Sequence, residues 1–353
     1  MGLRNALSRT KTYIQAMATH RAVHVPSAGA ALELVDVETT PPGRDEARLT
    51  VSACGICGTD ANFVSGGFPG MSWPLTPGHE IAGTIAELGD GVEGFAVGDR
   101  VAVGWFGGCC YHCDQCRKGQ FIHCENGKIP SYQYPGGYAE SVTAPASALA
   151  RIPSELSDAE AAPMGCAGVT TYNALRHTKA LPGDRVAILG VGGLGHLGVQ
   201  FARAMGFETI AIARGSAKAE DAKKLGAHHY IDSTAGDPAE ALKALGGAAV
   251  VLATAGNSGA MAATVGGISP QGELVTIGVT PEPLPISPIQ LITPGVSIVG
   301  HPSGTAKDVE DTMHFAVLSG VRAWIEELPL SQAAEGYAAL EHGRAHYRTV
   351  LTM

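Results

Sequence analysis

A chain of 353 residues with 45% hydrophobic and 16% charged side chains can build two domains with sizeable cores and has the composition of a soluble globular protein. Its 24 basic against 33 acidic side chains, a net charge of −9, weigh against nucleic acid or an anionic membrane surface as the main partner, and no apolar run reaches the roughly 18 residues of a membrane span. Eight cysteines without a secretory apolar segment argue against a disulfide framework and, by their spacing, for metal.

The first residues, Met1–Ala16, carry Arg4, Arg9 and Lys11 and no acid. Such a leader reads as a transit peptide, an early start codon (Met17 offers a second) or a disordered tail; the last is preferred for residues 1–17, and with it a cytoplasmic location. From about Arg21 to Ser52 the pattern is short and alternating, with Leu32 to Val37 and Ala47 to Val51 as strands. Ile81 to Leu88 and Arg100 to Val103 continue a β-rich, partly closed sheet.

Between these strands lies Cys57-Gly58-Thr59-Asp60, closed by Pro77-Gly78-His79-Glu80. A thiolate and an imidazole separated by a loop leave coordination positions to be filled from elsewhere, as a catalytic zinc needs, although a buried Cys and His are equally common in plain cores. The strongest local motif follows: Cys110, Cys113, Cys116 and Cys124, with two-residue gaps that wrap the backbone around one tetrahedral ion. Four sulfurs leave no open position, so this lobe, about residues 106–126, is expected to hold a structural zinc; an iron–sulfur cluster is the weaker reading, and Cys109 is left over.

A helical pattern from Ala159 to Ala174 contains Cys166. Beyond Pro182-Gly183-Asp184 apolar strands alternate with helices: Arg185 to Leu189, Thr209 to Ala213, Tyr230-Ile231, Ala249 to Ala253 and Glu273 to Ile277, with helices at Val199 to Met205, Lys218 to Leu225 and Ala239 to Leu245. That alternation predicts a doubly wound parallel sheet. Between its first strand and helix stand Gly190-Val191-Gly192-Gly193-Leu194-Gly195, where small residues let the backbone approach a pyrophosphate at a helix N-terminus. At the end of the second strand, Ala213-Arg214-Gly215-Ser216 and Lys218 bring no carboxylate against a 2′-phosphate and offer Arg214, Ser216 and Lys218 to hold one, so NADP(H) is expected over NAD(H). The tail carries helices at Val309 to Leu318 and Ala333 to Glu341, a strand near Trp324 to Leu328, and a last strand after Arg344 that returns to the first sheet.

Together these motifs, with Cys166-Ala167-Gly168-Val169-Thr170-Thr171-Tyr172, resemble the zinc-dependent alcohol dehydrogenases of the medium-chain dehydrogenase/reductase superfamily, in the microbial branch of the yeast and propanol-preferring enzymes. The resemblance covers nearly all of the chain from about residue 20. It implies an α/β fold: a GroES-like β-rich catalytic domain (18–164 and 303–353) and a Rossmann-type doubly wound domain (165–302). It implies two zinc ions per chain, with Cys57, His79 and Cys166 as ligands of the catalytic one and Glu80 beside them as an indirect or transient ligand. Asp60 then steadies His79, Thr59 contacts the alcohol and begins the proton relay, Thr170 packs against the nicotinamide, and Arg348 lies near the cofactor phosphates or Asp60. Trp73, Trp105 and Phe106 are candidate walls of an apolar substrate pocket. Two positions depart from the pattern: Gly58 and Asn62 stand where many relatives carry histidines for the cofactor phosphate and the end of the proton relay.

The expected activity is hydride transfer between NADP(H) or NAD(H) and a small to medium primary alcohol or aldehyde, by a homodimer or homotetramer. A polyol dehydrogenase is the alternative within the superfamily, and zinc-free quinone reductases are disfavoured by the full ligand set. A non-catalytic nucleotide-binding zinc protein acting as a redox sensor is the alternative outside enzymes.

Overall fold

The computed structural model describes residues 18–353, so the expectation for the basic leader lies outside the described residues. The first part of the chain forms β1 (Thr19–His24), β2 (Glu33–Glu38), β3 (Glu46–Ile56), β4 (Ile81–Leu88), β5 (Arg100–Val103), β6 (Ser141–Pro145) and β7 (Ala150–Arg151). The middle supplies β8 (Arg185–Leu189), β9 (Glu208–Ala213), β10 (His229–Asp232), β11 (Ala248–Ala253), β12 (Ile268–Thr276) and β13 (Ser297–Gly300), and the tail β14 (Ile325–Pro329) and β15 (Arg348–Thr352).

One sheet runs β14-β15-β3-β4-β5-β7, with β6 also paired to β3. The last strand does return: β15 lies antiparallel to β3, with Thr349 opposite Ile56 and Thr352 opposite Ala53. β3 is longer than the alternating pattern suggested. Past Val51 its residues Ala53, Cys54 and Ile56 are all buried, Ala53 in the apolar cluster shared with the second sheet and Cys54 and Ile56 in that of the first, so both faces are covered and the alternation that marks a half-buried strand disappears. The extension delivers Cys57 to the sheet's end.

The second sheet is six-stranded and parallel throughout, in the order β10-β9-β8-β11-β12-β13. Counted from β8 this is 3-2-1-4-5-6, the doubly wound order, and the strand order reverses between β8 and β11, where such sheets bind ligands. A single apolar cluster joins the two sheets, reaching from Ala53, Ala82 and Ala102 through Met164, Val169 and Leu175 to Ile188, Leu197 and Leu252. Among the described residues no helix is long and apolar enough to cross a membrane.

The helix expected from Ala159 to Ala174 is broken. A short helix, Asp158–Ala161, passes into a 3-10 turn, Ala162–Gly165, and the α-helix restarts at Ala167–Arg176. At the break Cys166 has φ −130° and ψ −74°, outside helical values. The cause is tertiary: Gly165 packs on Gly104 at the end of β5, and a Cβ at Gly104 would overlap the Gly165 carbonyl. This close approach turns Cys166 toward Cys57 instead of leaving it on a helix face.

Candidate active site and metal centres

The helix Gly58–Val64 begins directly after β3, so Cys57 occupies its N-cap and Asp60 its first turn. Asp60 is fully buried and both of its carboxylate oxygens are engaged. Its Oδ2 accepts from the Cys57 N–H at 2.9 Å and from the Tyr138 hydroxyl at 2.9 Å, while Oδ1 faces His79 Nδ1 at 3.0 Å. With Nδ1 so engaged, His79 Nε2 is left buried and without a partner, as is Glu80 Oε1. One donor atom from each of Cys57, His79, Glu80 and Cys166 lies within 4.8 Å of the others.

The charges describe a cation site. A hydrogen bond from Cys166, against the opposing effect of burial, holds the Cys57 thiol well below its ordinary range, and Cys166 is pushed well above by the same bond and by burial. Burial works to lower His79, but Asp60 and Cys57 outweigh it and hold the imidazole well above its usual value. Sulfurs, imidazole and carboxylates thus compete for protons in a dry pocket, and a divalent ion satisfies all of them at once. The residues fit zinc: soft sulfur and imidazole donors, an unpartnered ring nitrogen, and more than one charge to neutralise.

Glu80 is also fully buried, and burial raises its carboxyl to about 7 against the pull of Arg348. Arg348 pairs with Glu80 Oε2 and is itself 2% exposed. The guanidinium bonds to Glu80 rather than to Asp60. It does stand at the glycine-rich turn, since a Cβ on Gly193 would lie 2.9 Å from Arg348 Nη1. Gly55 makes room for the pair, because a side chain there would collide with the Glu80 carboxylate.

The four-cysteine lobe is a second candidate metal centre. Cys110, Cys113, Cys116 and Cys124 offer sulfurs within 4.8 Å of one another, and two of the separations are 3.6 Å (Cys110–Cys124) and 3.9 Å (Cys113–Cys124). A zinc with bonds of about 2.3 Å has tetrahedral edges of about 3.8 Å, so the spacing fits. Backbone N–H groups point at the sulfurs, from Cys113 to Cys110 Sγ at 3.4 Å and from Cys110 to Cys124 Sγ at 3.4 Å. The Asn126 amide, ahead of those N–H groups, lowers Cys110 to about 5. Cys109 lies outside the set, its N–H donated to Ser147 Oγ at 3.2 Å.

Beyond the C-terminal ends of β8 and β11 opens a cleft of about 580 Å³, lined by the turn from Gly190 to Leu194, by Arg214 and Lys218, and by Thr254 and Asn257. Gly190 has φ +97°, and a Cβ on Gly195 would overlap the Gly190 carbonyl, so both glycines serve the tight turn. Gly192 differs. No atom lies within 4 Å of where its Cβ would be, which leaves open space for an approaching phosphate. Arg214 is exposed at the cleft, and Lys218 points its Nζ at the Val191 carbonyl at 2.5 Å, its pKa lowered by burial; Ser216 is exposed and does not line the cleft. Thr170 is buried on the helix that follows Cys166, its N–H bonded to the Cys166 carbonyl at 2.9 Å.

Around His79 the aromatic wall is only partly the expected one. Trp105 lies edge-on to the imidazole with ring centres 5.5 Å apart, and Phe63 similarly at 5.8 Å. Phe106 is buried, and Trp73 packs in the same apolar cluster as Phe63, beside Gly66, with no ring contact to His79 among the described residues. Phe63 was missed because an apolar residue in a helix reads as core. Tyr138 and His196 were missed too: Tyr138 follows two glycines with no sign of its partner 78 positions away, and His196 is inconspicuous after the glycine turn.

This fold, with a zinc-fitting donor set beside a dinucleotide-type cleft, is that of a metal-dependent dehydrogenase. Residues 43–154 match the family model of the alcohol dehydrogenase GroES-like domain and residues 193–317 that of the zinc-binding dehydrogenase, and the chain belongs to the zinc-containing medium-chain alcohol dehydrogenase family. It is 41% identical to the alcohol dehydrogenase patD of Penicillium expansum over 92% of this chain and 95% of that one. An alcohol dehydrogenase of Geobacillus stearothermophilus is 39% identical over 91% and 96%. Among solved structures, CAD from Helicobacter pylori complexed with NADP(H) superposes with a TM-score of 0.84 at 26% identity, covering 95% of this chain and 98% of that one. The activity class is thereby that of a zinc-dependent alcohol dehydrogenase or aldehyde reductase.

Proposed function

We propose that this enzyme prefers NADP(H) and interconverts small to medium primary alcohols and their aldehydes, with Cys57, His79 and Cys166 as the ligands of its catalytic zinc. The observation that carries the cofactor preference is the end of β9: Ala213 and Arg214 stand where a carboxylate would exclude a 2′-phosphate, and Arg214 and Lys218 both line the cleft. Of the carboxylates close by, Asp232 is occupied by the Gly215 N–H at 2.7 Å and the Thr234 hydroxyl at 2.7 Å, and Asp221 by the Tyr347 hydroxyl at 3.0 Å. The Helicobacter pylori relative, captured with NADP(H), agrees with this reading.

Bound zinc would supply Lewis acidity to the alcohol or carbonyl oxygen, and the nicotinamide would accept or donate hydride. The chain supplies position and proton handling. Asp60 fixes His79 so that its Nε2 faces the metal position. Thr59, half-buried one residue before Asp60, would offer its hydroxyl to the alcohol proton, and Thr170, buried on the helix after Cys166, would pack against the nicotinamide. Asn62, exposed one turn further along the same helix, does not titrate, so the proton leaves Thr59 directly to solvent. Trp105 and Phe63 exclude water beside His79 and favour an apolar substrate tail. Arg348 neutralises Glu80 and flanks the glycine turn.

The same reading divides the chain into a catalytic domain of 18–164 with 303–353 and a nucleotide domain of 165–302, along the two sheets. A homodimer or homotetramer is supported by β13, an edge strand with Ile298 and Val299 more than a third exposed beside exposed Ile289 and Ile292. A cytoplasmic location is supported by eight cysteines that are all free. The test is a panel of alcohols and aldehydes assayed with both cofactors on the zinc-loaded enzyme. The proposal expects higher kcat/KM with NADP(H) and a maximum among small to medium primary substrates; equal or better use of NAD(H) would overturn the cofactor assignment.

A further inference from the structure

We infer that Tyr138 is a positioning residue of the catalytic metal centre, holding Asp60 in the one orientation that presents His79 Nε2 to zinc. The inference rests on the assignment of Cys57 and His79 to that zinc. Asp60 is fully buried, and the three donors the structure gives it are His79 Nδ1, the Cys57 N–H and the Tyr138 hydroxyl. The two on Oδ2 come from opposite directions in the chain, one from the residue that follows β3 and one from the segment before β6. Together they fix the rotation of the carboxylate about its Cβ–Cγ bond, which leaves Oδ1 alone for His79. Without the phenol, one N–H would hold Oδ2, and the carboxylate could turn about that bond and carry the imidazole with it.

Tyr138 is built for this role. It is fully buried, and burial, then the Asp60 charge, keeps its hydroxyl protonated and a donor. Its backbone is tied to the His79 loop itself, through its N–H to the Pro77 carbonyl at 2.9 Å and through the Gly137 N–H to the Gly78 carbonyl at 2.8 Å. Gly78, at φ +104°, has its Cβ position 2.5 Å from the Tyr138 ring, so the ring packs on the backbone just before His79. Phenol, carboxylate and imidazole are therefore held as one unit, and Tyr138, fully buried, is not among the residues that line the nucleotide cleft.

The test measures zinc retention on the full-length, zinc-loaded enzyme by competition with a chelator of known affinity, for wild type, Tyr138→Phe, Asp60→Asn and the double variant. Phenylalanine keeps the ring and removes only the donor. Tyr138→Phe is expected to release one of its two zinc ions with about tenfold weaker affinity, at the low end of the range for groups that orient metal ligands, and the Cys110–Cys124 zinc is expected to be held as in wild type. In the Asp60→Asn background the added effect of Tyr138→Phe should vanish, because the phenol acts through that carboxylate. Unchanged affinity in Tyr138→Phe, equal weakening of both ions, or a full tenfold loss on top of Asp60→Asn would each overturn the assignment. Substitution by cobalt gives a second readout: the visible absorption band of the four-coordinate ion at the catalytic site should shift in Tyr138→Phe and keep its wild-type position if the inference is wrong. A wild-type enzyme that binds only one zinc would instead refute the catalytic site itself.

Discussion

His196 gives the fold an acid sensitivity that can be worked from its surroundings. It lies in the first turn of the helix Gly195–Ala204, fully buried, where the Trp324 N–H donates to its Nε2 at 3.2 Å and its Nδ1 faces the Gly192 carbonyl at 3.2 Å. Its ring stacks on Tyr347 with centres 5.0 Å apart. Burial, and next the nearby Arg348 charge, lower its pKa from 6.5 to about 3. Below 6.5 the unfolded chain takes up a proton that the folded chain refuses, so this group stabilises the fold fully above 6.5 and progressively less as the pH falls toward 3. The loss is about 1.4 kcal/mol per pH unit, or about 3 kcal/mol by about pH 4, a large part of a typical folding free energy. The perturbation is His196→Gln, which is neutral at every pH. Urea unfolding of zinc-loaded wild type and variant should show a stability gap that narrows by about that amount from about pH 7 to about pH 4. Parallel curves would refute the claim that the buried imidazole stays neutral in the native enzyme.

Two glycines of the same turn should separate folding from binding. Gly195→Ala places a methyl on the Gly190 carbonyl and should lower stability by about 1–3 kcal/mol in thermal or urea unfolding, whereas Gly192→Ala meets no protein atom and should fold normally yet bind NADPH more weakly in a fluorescence titration. Replacing Arg214 by Asp removes a charge-assisted partner of the 2′-phosphate and adds repulsion; the ratio of kcat/KM for NADP to that for NAD should fall by about tenfold or more, and an unchanged ratio would rule the role out. Cys113→Ser should leave one zinc per chain by elemental analysis and make residues about 106–126 the first site of proteolysis, because structural zinc contributes on the order of 10 kcal/mol to the segment it closes.

What was legible in the sequence was what chemistry writes locally. The four-cysteine lobe and the glycine turn each occupy a short stretch, so spacing alone carries them, and the parallel sheet followed from apolar runs of strand length separated by helices. The third zinc ligand was different. Spacing gave no reason to join Cys166 to Cys57, and the resemblance supplied it; the break that aims its sulfur depends on Gly104 and Gly165 meeting across the fold. Arg348 was expected near the cofactor phosphates or Asp60, and its pairing with Glu80, 268 positions away, leaves no local sign in the sequence. Trp73 and Trp105 are equal as sequence, and only the packing sets Trp105 against His79 and Trp73 beside Gly66. Tyr138 and His196 act through partners 78 and 128 residues distant, which no local pattern reveals.

The central claim, that Cys57, His79 and Cys166 hold the zinc at which hydride transfer occurs, is tested most directly by zinc content and NADPH-dependent aldehyde reduction measured side by side in wild type and Cys166→Ser. The account predicts two zinc ions per chain and turnover in wild type, and in the variant one zinc, unchanged NADPH binding and turnover reduced by at least about a thousandfold, since the Lewis acid is gone. A variant that keeps both ions, or that loses one and still reduces aldehydes at the wild-type rate, would contradict it.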